Sequence, residues 1–208
     1  YDANGNLIVS PTNTIELNAF TTYEVDDYER HNYYFANIYN EISFPFLKGL
    51  TYRLNFGNNF RTDKRYFSSI FDAGQTGRAF KDDQTYYDYT LDNIVNYNNT
   101  FGKHEVGATL LYGSIKREFN STFAEARGFS RLTLSYNDLA LGTNQFANSD
   151  GWNEALLYQM ARLNYKFDNK YLVTATVRRD GFSGFAKNNK TAIFPTVALG
   201  WILSEEGF

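Results

Sequence analysis

The amino-acid sequence predicts an all-β fold: an antiparallel, up-and-down transmembrane β-barrel segment of about seven long strands. Three observations support this prediction. Apolar and polar residues alternate with a period of two over long stretches, which is the pattern of a strand with one wet side. Short turns, expected on the periplasmic side, alternate along the chain with long connections, expected outside the cell, as in outer-membrane barrels. Several strands also exceed the ~9–11 residues that cross a hydrocarbon layer.

Composition excludes several kinds of site. The 208-residue chain has a net charge of −3, so it lacks the basic stripe of a nucleic-acid-binding protein. It has no Cys, which excludes thiol catalysis, disulfides and Cys-ligated zinc. Its two His residues, His31 and His104, lie far apart in the sequence, which argues against a His-rich metal site. We therefore expect no cofactor, no metal and no nucleic-acid partner.

The balance of aromatic and polar residues also favours strands with one apolar face and one solvated face. Aromatic residues make up 18% of the chain, yet the mean hydropathy is −0.48. The longest apolar run, "VALGWIL" at 197–203, is far shorter than the ~20 residues of a membrane helix. The sequence begins at Tyr1 without a signal peptide and stops at "SEEGF", so we expect a fragment of a larger protein.

Two regions are predicted. Residues 1–29 have little regular pattern and are expected to form an extracellular loop or irregular segment. Within them, "YDANGNL" predicts a turn and "TIELNAFTTYEV" a short strand. Residues 30–208 are expected to form part of the wall of a larger β-barrel.

Three strand pairs and a final strand follow in order. The first pair is "NYYFANIYNEISF" and "LTYRLNFGNNF", joined by "PFLKG". The second is "YYDYTLDNIVNYNNTF" and "HEVGATLLYGSIKREF", joined by "GK". The third is "LLYQMARLNYKF" and "KYLVTATVRRDGF", joined by "DN", and "FPTVALGWILS" is the seventh strand. Short turns that contain Gly or Asn between alternating runs predict hairpins.

Alternation sorts the strand residues into two faces. The apolar face is expected to touch lipid and contains Leu50, Tyr52, Leu54, Phe56, Val106, Ala108, Leu110, Leu163, Tyr171, Val173, Ala175, Val177, Leu199 and Trp201. The polar face is expected to line the lumen, as a possible substrate path, and contains Arg53, Asn55, Asp88, Asp92, Glu105, Arg162, Asn164, Thr174, Thr176, Arg178 and Asp180. Asn40 and Asn93 interrupt the apolar pattern.

Whether the apolar face contacts lipid or a protein core is indicated by the residues on the polar face. Charges spread over one face of several strands would be costly in a dry core, whereas a wet lumen tolerates them. Aromatic residues also collect near the short turns, as in the girdles at a membrane boundary. They are Phe44, Phe46, Phe101, Tyr165, Phe167 and Tyr171. The long loops are predicted at 63–83, 125–152 and 181–190.

The end of the chain adds a family resemblance. "NYKFDNKYLVTATVRRDGFSGFAKNNKTAIFPTVALGWILSEEGF" resembles the signature of SusC/RagA-like TonB-dependent outer-membrane transporters, and "ANIYNEISFPFLKGLTYRLNFG" resembles an earlier hairpin of that family. The clear match covers about 160–208 and a looser match covers 30–130. Phe182, Gly184 and Ile202 depart from the residues that are usual in the family.

The resemblance implies a barrel of about 22 strands around an N-terminal plug, in the outer membrane of a Gram-negative cell. It implies uptake of oligosaccharide or peptide cargo with a SusD-like surface lipoprotein, and loops 63–83, 125–152 and 181–190 are the expected contacts for cargo or this lid protein. Residues 30–208 would then be part of the barrel wall of a larger TonB-dependent transporter, with the plug domain absent from this chain. It also implies energy coupling to the TonB complex through parts outside this chain. The family-based expectation is therefore nutrient import, without catalysis.

Two alternatives remain at this stage. A secreted carbohydrate-binding β-sandwich would bury the apolar face inside the protein. An outer-membrane hydrolase would need a Ser–His or Asp–His pair in the lumen. "DGFSG" does not match Gly-x-Ser-x-Gly, and no His follows Ser183. We therefore expect no enzyme activity.

Overall fold

The chain folds as one sheet of seven strands in sequence order, β1-β2-β3-β4-β5-β6-β7. The computed structural model describes residues 2–5, 7–8, 18–71 and 76–207. The strands are β1 (Val25–Ser43), β2 (Leu50–Ser69), β3 (Arg78–Phe101), β4 (His104–Phe129), β5 (Gly142–Phe167), β6 (Tyr171–Phe182) and β7 (Thr191–Trp201). Strand β6 pairs with β5 on one side and with β7 on the other, and both pairings are antiparallel. The predicted fold class, a meander from an up-and-down β-barrel, is confirmed.

The short turns have the chemistry that their sequences predict. Asp168 and Asn169 have φ values of 50° and 57°, and the Lys170 amide donates to the Phe167 carbonyl at 2.9 Å. Two positive φ values in a two-residue loop define a hairpin turn whose twist matches the flanking strands. Gly49 (φ 88°) is required in the first turn, because an added Cβ would collide with the backbone carbonyl of Asn98.

The strands extend further than the sequence pattern predicts. The connection predicted at 63–83 is mostly strand, because β2 continues to Ser69 and β3 begins at Arg78. The connection predicted at 125–152 reduces to 130–141, and the one predicted at 181–190 to 183–190. These loop boundaries were wrong. Beyond the apolar stretch both sides of a strand carry polar residues, so the period-two signal fades while the backbone ladder continues.

The N-terminal part also differs from its prediction. Residues 2–5 form the predicted turn, with the Gly5 amide donating to the Asp2 carbonyl at 3.0 Å. The strand predicted within 14–25 is wrong for Ala19–Glu24, which form a 3₁₀ helix with Asn18 as N-cap, and residues 14–17 lie outside the described residues. β1 begins at Val25, five residues before the predicted boundary at Arg30.

The register of the last three strands fixes which residues share a face. Val173 pairs with Tyr165 on β5 and with Leu199 on β7, and Ala175 pairs with Leu163. Thr174 pairs with Asn164, so the polar residues form a matching row between the apolar ones. Directly paired residues lie on the same side of an antiparallel sheet. The predicted alternation therefore holds across β5, β6 and β7.

Contacts divide the chain into two compact units. The first unit comprises Tyr1–Tyr33, Phe60–Tyr86 and Phe119–Trp152. The second unit comprises Tyr34–Asn59, Tyr87–Glu118 and Asn153–Phe208. Among the described residues, no helix is long and apolar enough to cross a membrane.

The apolar face of the second unit is exposed in this chain. Leu199 is 79% exposed and Val197 is 69% exposed. A β-sandwich buries such a face against a second sheet. The described residues form a single seven-stranded sheet, so nothing in them corresponds to the second layer of the sandwich alternative.

Candidate functional site

The polar face of the second unit is a set of paired side chains. Each predicted polar-face residue contacts a polar partner there. The pairs are Arg53–Asn55, Asp88–Asn59, Asp92–Tyr158, Glu105–Lys166, Arg162–Thr176, Asn164–Thr174 and Arg178–Asp180. The structure thus places each of these predicted site residues beside a polar partner. That this surface faces a lumen remains a prediction.

The centre of this face is a tyrosine that reaches across a glycine. Tyr158 on β5 is only 7% exposed, and its hydroxyl donates to the Asp92 carboxylate on β3. Its ring crosses Gly113 on β4, where an added Cβ would collide with the ring and lie 2.5 Å from Asp92 Oδ1. The absence of a side chain at Gly113 therefore creates the space that Tyr158 occupies.

An arginine covers the other side of the same tyrosine. The Arg178 guanidinium lies 5.1 Å from the centre of the Tyr158 ring, within the range of a cation–π contact. Its Nε donates to both carboxylate oxygens of Asp180, at 2.7 and 3.0 Å. Asp92, Tyr158, Arg178 and Asp180 thus form one network on the polar face of the second unit.

A concavity of about 630 Å³ lies at the short-turn end of this face. Asn98, Asn164 and Thr174 line it, and the Thr174 hydroxyl donates to Asn164 Oδ1 at 3.0 Å. Gly107 leaves room for Asn98, whose Oδ1 would lie 2.8 Å from an added Cβ. Amide and hydroxyl groups in the lining can hydrogen-bond polar ligands. The lining also contains the charged side chains of Lys48, Glu105 and Lys166.

The apolar face ends in an aromatic cluster beside the short turns. Phe167 stacks on Tyr171 at 6.5 Å, and Tyr171 stacks on Trp201 at 6.4 Å. His104 joins from β4, with its Nδ1 2.7 Å from the Tyr165 hydroxyl. Tyr165, Phe167 and Tyr171, predicted as girdle residues, are therefore neighbours, while His104 and Trp201 are additional members.

Glu206 holds this cluster from the chain segment after β7. Its carboxylate accepts from Lys170 Nζ at 2.9 Å, the Tyr171 hydroxyl at 2.8 Å and Trp201 Nε1 at 3.1 Å. These hydrogen bonds, led by that from Lys170, hold the pKa of Glu206 below its ordinary value. A carboxyl whose pKa is lower in the folded state stabilises that state at neutral pH and loses the effect as the pH falls.

We expect Glu206→Gln to lower the thermal midpoint of the full-length protein by a few degrees, because an amide has one acceptor oxygen for three donors. The difference from wild type should shrink on acidification. Glu205→Gln, which changes the neighbouring carboxylate, is the matched control. Equal midpoints for the two variants at neutral pH would contradict this role.

Asn93, which interrupts the apolar pattern, has polar partners in the structure. Its Oδ1 accepts from the Tyr52 hydroxyl at 2.7 Å, and its Nδ2 donates to the Tyr112 carbonyl at 3.4 Å. Tyr52 belongs to the predicted apolar face, so Asn93 lies on that face with its amide occupied. The interruption therefore does not shift the register.

The first unit has a buried charge cluster that the sequence analysis did not predict. Glu125 is 4% exposed and accepts from Arg78 Nε and Nη2, at 2.9 and 2.7 Å, and from Arg127 Nε. Burial alone raises the pKa of a carboxyl, but these bonds outweigh it and hold the pKa of Glu125 below its ordinary value. Arg78 also lies 4.9 Å from the Phe80 ring centre.

A second charge cluster of the first unit contains His31. The His31 ring nitrogens lie 2.7 Å from Asp63 and 3.0 Å from Glu29, and the bond to Asp63 is the leading cause of a raised His31 pKa. Arg61 Nε lies 2.6 Å from the same Asp63, and its guanidinium lies 5.1 Å from the Tyr33 ring centre. No group of three or more His, Asp or Glu in the described ranges is placed to hold a metal.

Sequence reasoning missed Tyr158, Gly113 and Glu125. The alternation along β5 places Tyr158 on the polar face. A side chain of this size on that face needs space beside it on a neighbouring strand, and this requirement was a usable signal. Gly113 within a strand was the available signal, because glycine there often marks a close approach. Glu125 was assigned to a loop, so no partner was sought for it.

Comparisons with known proteins identify the class to which this architecture belongs. No family model matches the chain. The TonB-dependent receptor P3 of Formosa agariphila is 33% identical over 195 residues, covering 91% of this chain and 19% of the receptor. The TonB-dependent receptor SusC of Bacteroides thetaiotaomicron is 29% identical over 212 residues, covering 100% of this chain and 20% of SusC. The chain therefore spans about a fifth of the length of these relatives.

Solved structures agree on the fold. The RagAB peptide transporter superposes with a TM-score of 0.75 at 21% identity, over 85% of this chain and 20% of that one. The open-open state of the RagAB peptide importer gives a TM-score of 0.77 at 20% identity, over 94% of this chain and 22% of that one. The protein is a β-barrel segment of a TonB-dependent receptor. It belongs to the TonB-dependent receptors, and its similarity to SusC agrees with the resemblance of its C-terminal signature.

Proposed function

We propose that this chain contributes seven consecutive strands to the transmembrane barrel of a TonB-dependent nutrient importer in a Gram-negative outer membrane. The apolar face contacts lipid and the polar face lines the path of the cargo. The cargo is an oligosaccharide or a peptide, delivered with a SusD-like lipoprotein. Energy coupling to the TonB complex takes place through parts outside this chain. The chain has a transport role and no catalytic role.

The observation that carries this proposal is the different chemistry of the two faces. Tyr171, Val173, Ala175 and Val177 form an unbroken row without charge on one side of β6. A Lys or Arg on the lipid side at mid-bilayer costs ~2–4 kcal/mol, which favours such a row in a membrane strand. Arg178 and Asp180 belong to the other side, together with the pairs described above.

The cargo class is supported by the groups available on the polar face and in the first unit. The concavity beside Asn164 offers amides and hydroxyls, which serve sugars and peptides equally. In the first unit, Tyr86, Phe119 and Trp152 form a ring series with centroid separations of 4.6 and 5.9 Å. Aromatic rings provide apolar contact area with some polar edges, which suits a ligand that has both apolar and polar surface, such as a sugar or a peptide. SusC and the RagAB peptide transporter are proteins similar to this chain.

The test is a cysteine scan of 171–178 in the full-length protein in lipid bilayers. Cysteines at Tyr171, Val173, Ala175 and Val177 should resist a water-soluble maleimide, and a fluorophore placed there should be quenched by a lipid-borne quencher. Cysteines at Thr174 and Thr176 serve as internal controls and should show the opposite behaviour. Protection of the first set from both reagents would mean a protein core and would overturn the proposal.

A further inference from the structure

A small cationic pocket lies in the first unit, on the side opposite the His31 and Glu125 clusters. Its volume is about 330 Å³ and it is lined by Tyr28, Arg30, Asn32, Lys64, Tyr66 and Tyr136. The lining contains two cations, one amide and three phenols, and no carboxylate. The strands β1 and β2 supply most of the lining, and Tyr136 comes from the connection between β4 and β5.

The two cations of this pocket differ in how firmly they are held, because Arg30 is oriented by a hydrogen bond and Lys64 is not. Arg30 Nε donates to Asn32 Oδ1 at 3.1 Å, and Asn32 Nδ2 donates to Thr62 Oγ1 at 3.1 Å. A guanidinium has five N–H donors, so this contact uses one and orients the others. Lys64 Nζ is 3.8 Å from Asp83 Oδ1, which is beyond hydrogen-bonding distance, and its side chain is 46% exposed.

The aromatic side of the pocket is a packed tyrosine cluster. Tyr66 stacks on Tyr28 at 5.4 Å and contacts Tyr136 at 5.3 Å. Burial and the bond from its hydroxyl to Asp83, 2.8 Å long, raise the pKa of Tyr66 to about 12. The phenol therefore stays neutral, and its bond holds the Asp83 carboxylate.

The charges next to the lining favour an anion as well. Lys81 Nζ lies 5.0 Å from the Tyr66 ring centre and 5.8 Å from the Tyr136 ring centre. The two nearby carboxylates are occupied: Asp83 by Tyr66, and Asp26 by the Ser135 hydroxyl at 2.7 Å. Arg30, Lys64 and Lys81 thus outnumber Asp26 and Asp83.

The position of the pocket follows from the period of two along β2. Leu50 and Phe60 lie on the same side of this continuous strand as Lys64 and Tyr66. From Leu50 to Phe60 the strand rises roughly 33 Å, or roughly 25 Å in height at a tilt of ~40°, which equals the apolar band of an outer-membrane barrel. Lys64 and Tyr66 follow on the same strand, four and six residues beyond Phe60.

We propose that this pocket binds the phosphorylated sugar headgroup of a glycolipid in the outer leaflet. The proposal rests on the proposed function, under which this side of β2 faces lipid. Arg30 and Lys64 provide the charge-assisted donors that a phosphate needs, and Tyr28 and Tyr136 provide surface for the sugar ring. Soluble cargo would travel on the other side of the strands, so a membrane glycolipid is the occupant that fits this location.

The test measures retention of bis-phosphorylated lipid A by the purified full-length protein, using native mass spectrometry in detergent. The double variant Arg30→Gln/Lys64→Gln should bind lipid A roughly a hundredfold more weakly than wild type, because two charge-assisted hydrogen bonds are lost. The matched control, Lys48→Gln/Lys103→Gln, removes two cations beside the short turns and should bind like wild type. Dephosphorylated lipid A should bind weakly and equally to all three proteins.

Other outcomes would overturn the proposal. Equal retention by the double variant, or an equal loss in the control, would show that the pocket does not select the headgroup. A soluble phosphorylated disaccharide that binds as tightly as lipid A would identify a free ligand instead. The cysteine scan distinguishes failure of this proposal from failure of the proposed function. Quenching at Val173 by the lipid-borne quencher reports whether the apolar face contacts lipid, and this result does not depend on what the pocket binds.

Discussion

Replacing Gly113 by Ala should lower the free energy of unfolding of the full-length barrel by about 2–4 kcal/mol. The new Cβ would occupy the space of the Tyr158 ring and lie 2.5 Å from Asp92 Oδ1. The ring cannot swing away freely, because Asp92 holds its hydroxyl and Arg178 lies over its face. Moving it would leave a half-buried carboxylate without its donor. The measurement is the denaturation midpoint in detergent.

The chain provides a matched control for this substitution. Gly57 also lies within a strand, and an added Cβ there would meet no atom within 4 Å, so Gly57→Ala should leave the midpoint unchanged. Tyr158→Ala should remove most of the penalty of Gly113→Ala, because the ring that collides is gone. A double variant whose loss equals the sum of the two single losses would show that Gly113 and Tyr158 are not coupled.

The sequence was sufficient to predict the faces of the central strands. Val173 and Thr174 pair with residues of their own chemistry on β5, because a one-residue slip would exchange every apolar and polar side chain. The short turns were equally predictable, since Asp168 and Asn169 tolerate positive φ values. These features depend on local patterns, which one sequence contains in full.

The strand ends could not be predicted in the same way. From Arg117 to Phe129 polar residues occur on both sides of β4, so alternation gives no signal there, although the strand continues. Partners across the sheet are also invisible in one sequence. Glu125 meets Arg78, which lies 47 residues away, and Tyr158 meets Asp92, which lies 66 residues away. The sequence therefore predicted which residues share the polar face of the candidate site, whereas the contacts between them required the structure.

Replacing Glu125 by Ala should destabilise the first unit by about 2–3 kcal/mol, because it leaves Arg78 and Arg127 facing each other without the carboxylate between them. The partial exposure of both arginines keeps this estimate below that for a fully buried pair. Hydrogen exchange in the full-length protein should accelerate in peptides covering 78–80 and 125–127. Glu118→Gln, on the same strand with an exposed partner in Lys116, should exchange like wild type.

The pH dependence separates a charge effect from a simple loss of packing. The folded-state pKa of Glu125 lies below its ordinary value, so its contribution is present at neutral pH and is lost as the pH falls through the folded-state pKa. Wild type and Glu125→Ala should therefore converge on acidification, because protonation removes the same charge that the substitution removes. A difference in exchange that persists unchanged at acidic pH would assign the effect to the lost side-chain volume. The two arginines would then be held by Phe80 and Phe146, over whose rings they lie.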